Sequence, residues 1–208
     1  MVSPYSFAWQ TIGSGGSIAQ KAAEAGAQGI LSVDTGASST TARGVNRGGE
    51  SMLFGNGRIV LEWRVRINTL STSGEKFVVR VGIHDGTSST VPRDGAWFEC
   101  DESVNSGQWQ IKTANNQTAP PTNCTTANTA VAPVAATWQK LRIEINAGGT
   151  SIEFFINGTT AGTITTDIPT GTGRGTAAAI LIVKSVGTTG RSVDADYALI
   201  YQKLTTPL

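Results

Sequence analysis

The segment WFECDE, residues 97–102, carries two carboxylates two positions apart in an apolar, aromatic run. On a β-strand such residues point to the same face, with about 6.5–7 Å between their Cα atoms. A retaining glycosidase needs carboxyl groups about 5–5.5 Å apart, so Glu99 and Asp101 are candidates for glycoside cleavage. The alternative is that both charges lie on a solvated or hydrogen-bonded strand face.

The elements that would position these carboxylates are predicted to be strands. Apolar residues recur with a period of two, and Gly, Asn, Asp and Thr separate the runs, which is typical of antiparallel strands and turns. The clearest runs are IVLEWRVRIN at 59–68 and FVVRVGIHD at 77–85. Asn157-Gly158 predicts a tight hairpin, because both residues tolerate positive φ. We therefore expect an all-β sandwich or jelly roll.

Composition limits the function classes. The chain has 208 residues, 39% of them hydrophobic, and a formal net charge of +1. This length suits one main domain, and the charge gives no reason to expect nucleic acid as a partner. No apolar stretch approaches the length of a membrane span and no signal-peptide pattern opens the chain, so we expect no membrane insertion and synthesis in the cytoplasm.

The first 28 residues are predicted to form a separate N-terminal arm with little core of its own. Residues 17–28, SIAQKAAEAGAQ, favour a short helix that ends at Gly26. An arm without a core is ordered most easily by docking on a neighbour, so we expect a homo-oligomer, with a trimer as one option. The expected aromatic anchors are Tyr5, Phe7 and Trp9.

The two cysteines, Cys100 and Cys124, are too few for a disulfide framework or a structural zinc site. The loop between them allows a disulfide, and two independent thiols are the alternative. Asp85, Asp94 and the carbonyls of the loop between them permit a calcium site, but Asp-Gly pairs at 85–86 and 94–95 favour ordinary turns. No metal or other cofactor is expected, and His84 has no Ser or Cys motif nearby to act on as a base.

Alternating charges suggest a binding face. If the strands are neighbours, Arg64, Arg66, Arg80 and Glu62 share one sheet face with Glu99, and Lys112 is a further candidate for this face. Guanidinium and carboxylate groups there could bind sugar hydroxyls. A subunit interface and a solvated face are the alternatives. Trp97 has the parity of Glu99 and could stack on a pyranose ring. The candidate glycan face is Arg64, Arg66, Arg80, Trp97 and Glu99, whereas the tryptophans expected in the core are Trp63, Trp109 and Trp138.

The succession of segments resembles concanavalin A-like β-sandwich domains of bacteriophage virion proteins. The most distinctive portions are W-x-x-L-R-I-E-I-N at Trp138 to Asn146 and K-S-V-G-T-T-G-R at Lys184 to Arg191. The resemblance covers roughly residues 29–203 and implies a jelly-roll domain at 29–208. Relatives in the wider lectin and glucanase superfamily bind sugars across the concave sheet or at its rim, and phage relatives form fibres, spikes or capsid decorations.

The resemblance implies a non-enzymatic virion structural protein, either a capsid decoration or head fibre or a tail fibre. It would be attached to other virion proteins through residues 1–28. A lectin module for host-surface glycans and a glycan-degrading enzyme are the alternatives. Laminarinase-like relatives carry an acid two or three residues after the second carboxylate, where this chain has Ser103 or Val104. Neither can protonate a leaving group, and Glu102 has the opposite parity, so we expect no catalytic residue.

Overall fold

Two antiparallel sheets pack face to face over one hydrophobic core. The structure, a computed structural model, describes residues 9–47, 52–86, 91–118 and 122–204. In chain order its strands are β1 (Trp9–Ile12), β2 (Ser17–Gln20), β3 (Leu31–Asp34), β4 (Thr41–Arg47), β5 (Gly57–Ile67), β6 (Phe77–His84), β7 (Gly95–Asp101), β8 (Trp109–Ala114), β9 (Cys124–Asn128), β10 (Gln139–Ile145), β11 (Ile152–Ile156), β12 (Thr159–Ile164), β13 (Ala177–Lys184) and β14 (Ser192–Leu204).

The described strands are divided equally between the sheets. The first sheet has the order β1-β4-β13-β6-β7-β8-β9, and the second has the order β12-β11-β10-β5-β14-β3-β2. A short 3-10 turn at Asn105–Gly107 joins β7 to β8. The all-β jelly-roll prediction is confirmed. Within the described residues, no helix has the length and hydrophobicity that a bilayer span requires.

Period-two alternation builds the core. On β5 the odd-numbered residues from Ile59 to Ile67 are buried between the sheets, while Glu62, Arg64 and Arg66 face outward. Trp109 and Trp63 are buried in the core as predicted. The predicted hairpin joins β11 to β12, where Asn157 and Gly158 take φ of 52° and 84°.

The N-terminal segment differs from the expected arm. Residues 17–20 form β2, which pairs with β3, so the helix prediction is wrong. β1 pairs with β4, and Ile12 is buried. Local helix propensity is weak compared with the gain from pairing backbone groups at a sheet edge. Residues 9–28 therefore contribute an edge strand to each sheet and do not lack core contacts.

Of the three predicted anchors, Trp9 lies within the described residues. Trp9 is exposed, and its ring lies 5.4 Å from that of Trp63 in the same chain, measured between centroids. Tyr5 and Phe7 lie outside the described residues. Docking of the N-terminal segment on a neighbouring subunit stays a prediction.

Candidate functional site

The five residues predicted to share one binding face lie on opposite sides of the sandwich. Arg64 and Arg66 are on the outer face of the second sheet, whereas Arg80, Trp97 and Glu99 are on the outer face of the first. The prediction of one shared face is therefore wrong. Alternation shows which residues share a face within a strand, but it does not say which sheet the strand joins.

Glu99 is the centre of an ion-paired cluster on the first sheet. Its Oε2 accepts a hydrogen bond from Arg80 Nε at 2.7 Å, and its Oε1 accepts one from Lys112 Nζ at 2.5 Å. Trp97 Nε1 also donates to Oε2, at 3.3 Å. β6, β7 and β8 are hydrogen-bonded neighbours, so their register brings these residues together. We call these four residues the Glu99 cluster.

Burial and charge act in opposite directions on Glu99, whose side chain is 8% exposed. Burial raises the pKa of this carboxyl, but Arg80 and Lys112 lower it more, so the pKa lies below its usual range. A carboxylate that already accepts three hydrogen bonds has little capacity left to act as a nucleophile. Asp101 Oδ1 accepts from the backbone N–H of Ser103 at 2.8 Å and organises the turn after β7. Glu99 and Asp101 thus both have structural contacts.

Trp97 is fully buried, so its ring is not free to stack on a sugar as predicted. It lies edge-on to the ring of His84, 6.3 Å between centroids. The sequence pattern predicts that Trp97 faces away from the core, but it does not show that the ring is buried there.

On β6 and β8, His84 Nε2 and Gln110 Oε1 are buried and have no hydrogen-bond partner. His84 Nδ1 accepts from the backbone N–H of Gly86 at 3.1 Å, which leaves the proton of the neutral ring on Nε2. Burial, with a smaller contribution from Arg80, lowers the pKa of His84 to about 3. The ring is therefore neutral at pH 7 and presents an unused donor.

Gln110 presents an unused acceptor. Its Nε2 donates to Asn128 Oδ1 at 2.7 Å, while Oε1 is unpaired. An unsatisfied buried polar group costs about 1–3 kcal/mol, so a partner for Oε1 would be stabilising. Asn128 and Thr126 on β9 are exposed beside it. We call the outward-facing polar residues of β6 to β9 the polar face: Arg80, His84, Trp97, Glu99, Gln110, Lys112, Thr126 and Asn128.

The sequence suggested Lys112 for this face but did not identify Gln110. Gln110 and Lys112 alternate with Trp109 and Ile111, and this period-two pattern could have placed both on an outer face. Their position beside Glu99 required the β7–β8 register, which joins Glu99 to Gln110 and Trp97 to Lys112.

Charges on the second sheet hold the N-terminal segment to the sandwich. Arg66 Nη1 donates to Glu24 Oε1 at 2.6 Å, and Lys21 Nζ donates to Asp194 Oδ1 at 2.8 Å. Arg66 Nε also donates to Asp194 Oδ2, at 3.1 Å. Arg64 donates to Asp196 at 2.5 Å and to the carbonyl of Gly26. Arg64 and Arg66 therefore have internal structural partners.

Trp138 belongs to this charged surface, so its predicted place in the core is wrong. Its ring lies under the guanidinium carbons of Arg64 and Arg66, at 4.8 and 4.5 Å from the ring centroid. Its Nε1 donates to Glu24 Oε1 at 2.8 Å. Trp138 precedes β10 and has the parity of Lys140, which faces outward, whereas Gln139 is buried.

The loop after β6 satisfies its carboxylates internally. Asp85 Oδ1 accepts from the backbone N–H groups of Arg93 and Asp94, at 2.8 and 3.0 Å. Asp94 accepts from the N–H of Asn116 at 2.8 Å and from Arg174 at 3.2 Å. In the part of the chain that the structure describes, no three His, Cys, Asp or Glu side chains are grouped as metal ligands.

The cysteines are free thiols on opposite faces of the first sheet. Cys100 is buried in the core, and Cys124 is half-buried on the outer side of β9. Cys100 pairs with Trp109 and Cys124 with Ala114, five residues apart along β8 and thus about 16 Å. Disulfide formation needs Cα atoms within about 7 Å.

The fold defines a class of protein: a lectin/glucanase-like β-sandwich of the concanavalin A type. More particularly, the chain belongs to the family described as SO2946-like, C-terminal domain, whose model matches residues 29–196. The crystal structure of the protein of unknown function SO2946 from Shewanella oneidensis MR-1 is similar to this chain, with a TM-score of 0.64 and 10% sequence identity. The similarity covers 99% of this chain and 84% of that one.

Two further solved structures share the fold. The carbohydrate recognition domain of Emp47p has a TM-score of 0.61 and 9% identity, covering 94% of this chain and 89% of that one. The endo-1,3-beta-glucanase from Streptomyces sioyaensis has a TM-score of 0.57 and 11% identity, covering 83% and 75%. No curated protein matches the sequence. These likenesses confirm the concanavalin A-like fold, while the bacteriophage part of the resemblance stays a prediction.

Proposed function

We propose that this protein is a non-enzymatic, lectin-like domain that binds a glycan on its polar face, next to Gln110. The observation that carries the proposal is the unpaired Gln110 Oε1, which lies beside the exposed side chains of Asn128 and Thr126. Sugar hydroxyls both donate and accept hydrogen bonds. Oε1 is buried, so a hydroxyl that displaces the Asn128 side chain would satisfy it, and Lys112 on the same strand offers a further donor.

The neighbours in fold support a glycan as the ligand. One of them is a carbohydrate recognition domain and another is a glucanase. The orphan donor His84 Nε2 is a second unsatisfied group on the same face. Each such group costs free energy unless it finds a partner, so its presence favours a polar ligand over an apolar one.

The contacts of the carboxylates support binding without cleavage. Glycoside hydrolysis needs one protonated and one free carboxyl group on either side of the bond. Glu99 is held ionised by Arg80 and Lys112, and Asp101 is engaged by the turn at Ser103. A glycan-degrading enzyme is the alternative function.

The experiment is a screen of neutral and acidic oligosaccharides, followed by calorimetric titration of each ligand found. Gln110→Met, which keeps the side-chain length and removes Oε1, should weaken binding at least tenfold. Thr126→Ala should also weaken binding, whereas the matched control Thr163→Ala, an exposed threonine on β12 of the second sheet, should not. Equal affinities for Gln110→Met and the unmodified protein would overturn the site. Release of reducing ends on incubation would instead support the enzyme.

Display on a bacteriophage virion, as a capsid decoration, head fibre or tail fibre, is proposed as the setting of this function. It rests on the sequence resemblance. Co-sedimentation with intact particles tests it, comparing the full chain with one that lacks residues 1–8. This shorter deletion is preferable to removing residues 1–28, because Trp9–Ile12 and Ser17–Gln20 are strands of the sandwich. Failure of the full chain to sediment with particles would contradict the virion setting and leave the glycan site to its own test.

A further inference from the structure

The C-terminal part of β14 forms a long free edge of the second sheet. β14 pairs with β5 as far as Leu204, but with β3 only over residues 192–195. Among the described residues, no strand pairs with the other side of residues 197–204, which we call the β14 edge. Eight residues expose about 26 Å of backbone donors and acceptors. Proteins usually protect an edge of this length with charges, proline or a covering segment.

Apolar side chains line the outer side of this edge. Tyr197, Leu199 and Tyr201 are 36%, 56% and 50% exposed. Ala198 and Ile200 alternate with them and pack partly against the core, so the even-numbered residues face inward and the odd-numbered residues face outward. A strand that only met solvent would gain nothing from three large apolar side chains in a row, so the pattern indicates contact with another surface.

We infer that the β14 edge pairs antiparallel with the same edge of a second copy, around a two-fold axis at Ile200. In such a contact residue i faces residue j while j faces i. Leu199 then lies opposite the second copy's Tyr201, and the outer faces of the two copies coincide. The two second sheets become one continuous sheet, and the free backbone groups pair with each other.

Charge complementarity favours a second copy as the occupant. The same register sets Lys203 opposite the second copy's Tyr197. Within each chain, Tyr197 Oη donates to Glu62 Oε1 at 2.6 Å, so the lysine approaches a carboxylate. Inside its own chain Lys203 lies opposite Arg58, a like charge. Pairing therefore brings Lys203 close to the Glu62 carboxylate of the second copy, whereas the residue opposite it in its own sheet is the like-charged Arg58.

The test is the mass of the full chain by sedimentation equilibrium from micromolar to millimolar concentration. We expect a dimer that Leu199→Lys converts to a monomer. Lys203→Glu should weaken dimerisation at least tenfold, and adding Glu62→Lys should restore it. Lys140→Glu makes the same charge change on β10, away from the edge, and should leave the dimer unchanged. Thermal unfolding of each variant checks that it is folded.

Three results would overturn the inference. One is a monomer at every concentration. Another is a dimer that survives both Leu199→Lys and Lys203→Glu. The last is a dimer that is lost when residues 1–8 are removed but retained in Leu199→Lys, which would place the contact on the N-terminal segment. None of these outcomes depends on glycan binding, so the proposed function is tested separately.

Discussion

Arg80 donates to Glu99 across the β6–β7 pair, with 2.7 Å between Nε and Oε2 and with both side chains less than one tenth exposed. The contact joins two neighbouring strands of the first sheet on the polar face. Lys112 completes it from β8. One buried anion therefore ties three consecutive strands together.

Glu99→Gln should destabilise the fold strongly. The substitution keeps the shape of the side chain but leaves Arg80 and Lys112 without their anion. Breaking a buried ion pair by removing one partner costs about 3–5 kcal/mol. Urea denaturation measures the free energy of unfolding, with Glu153→Gln, an exposed carboxylate on β11, as the matched control. A loss no larger than that of the control would show that the Glu99 cluster contributes little to stability.

Stability should fall as the pH drops below 6.5 because of His84, the one histidine in the sequence. Its pKa is lowered to about 3 in the folded state by burial, from 6.5. The unfolded chain therefore takes up a proton that the folded chain does not, and the histidine's contribution is lost progressively from pH 6.5 down to about 3. Between pH 6.5 and 5 the loss should be about 2 kcal/mol.

Urea denaturation at several pH values between 5 and 7.5 measures this slope. His84→Gln carries no titrating ring and should flatten the curve in that window, even if its stability is lower throughout. An equally steep curve in the variant would assign the pH dependence to other groups.

The two thiols should remain separate and differ in reactivity. Burial raises the pKa of the Cys100 thiol to about 12, and burial also raises that of Cys124. Because Cys124 is only half-buried, iodoacetamide at pH 8 should modify it first, and Cys100 should react only on unfolding. Intact-mass spectrometry with and without reductant follows both reactions. A mass two hydrogens lower without reductant would indicate a disulfide and contradict the strand register.

Glu24→Gln should loosen the N-terminal segment without unfolding the sandwich. Glu24 accepts hydrogen bonds from Trp138 and Arg66. Both contacts lower the pKa of its carboxyl group, and the one from Trp138 has the larger effect. Hydrogen exchange should therefore rise over residues 17–28 and stay unchanged in β6 and β7. Lys140→Gln, on the same outer face but without a contact to this segment in the structure described, is the control. Unchanged exchange over 17–28 would mean that strand pairing alone holds the segment.

The predictable part of the fold came from local patterns. Alternation along 59–68 and 77–85 correctly assigned strands and the inward faces of β5 and β6. The Asn157-Gly158 dipeptide predicted its hairpin because the φ requirement belongs to those two residues alone. These features depend on neighbours in the chain, which the sequence contains in full.

Parity was less useful where a strand begins or where propensity competes with pairing. Trp138 was assigned to the core although it lies just before β10 and faces outward. Residues 17–20 were assigned to a helix, yet they pair with β3. In both cases contacts with distant residues, Arg66 for the tryptophan and Leu31–Asp34 for the segment, decided the outcome.

The sequence by itself determined that this protein is an all-β sandwich, which residues alternate between core and surface, and that no acid follows Asp101 where a glucanase would need one. Only the tertiary structure decided that Arg64 and Glu99 lie on opposite sheets, that Arg80 and Lys112 neutralise Glu99, and that Gln110 keeps an unpaired oxygen. The reason is physical: side-chain alternation has a period of two within one strand, whereas the identity of the neighbouring strand depends on burial summed over the whole chain.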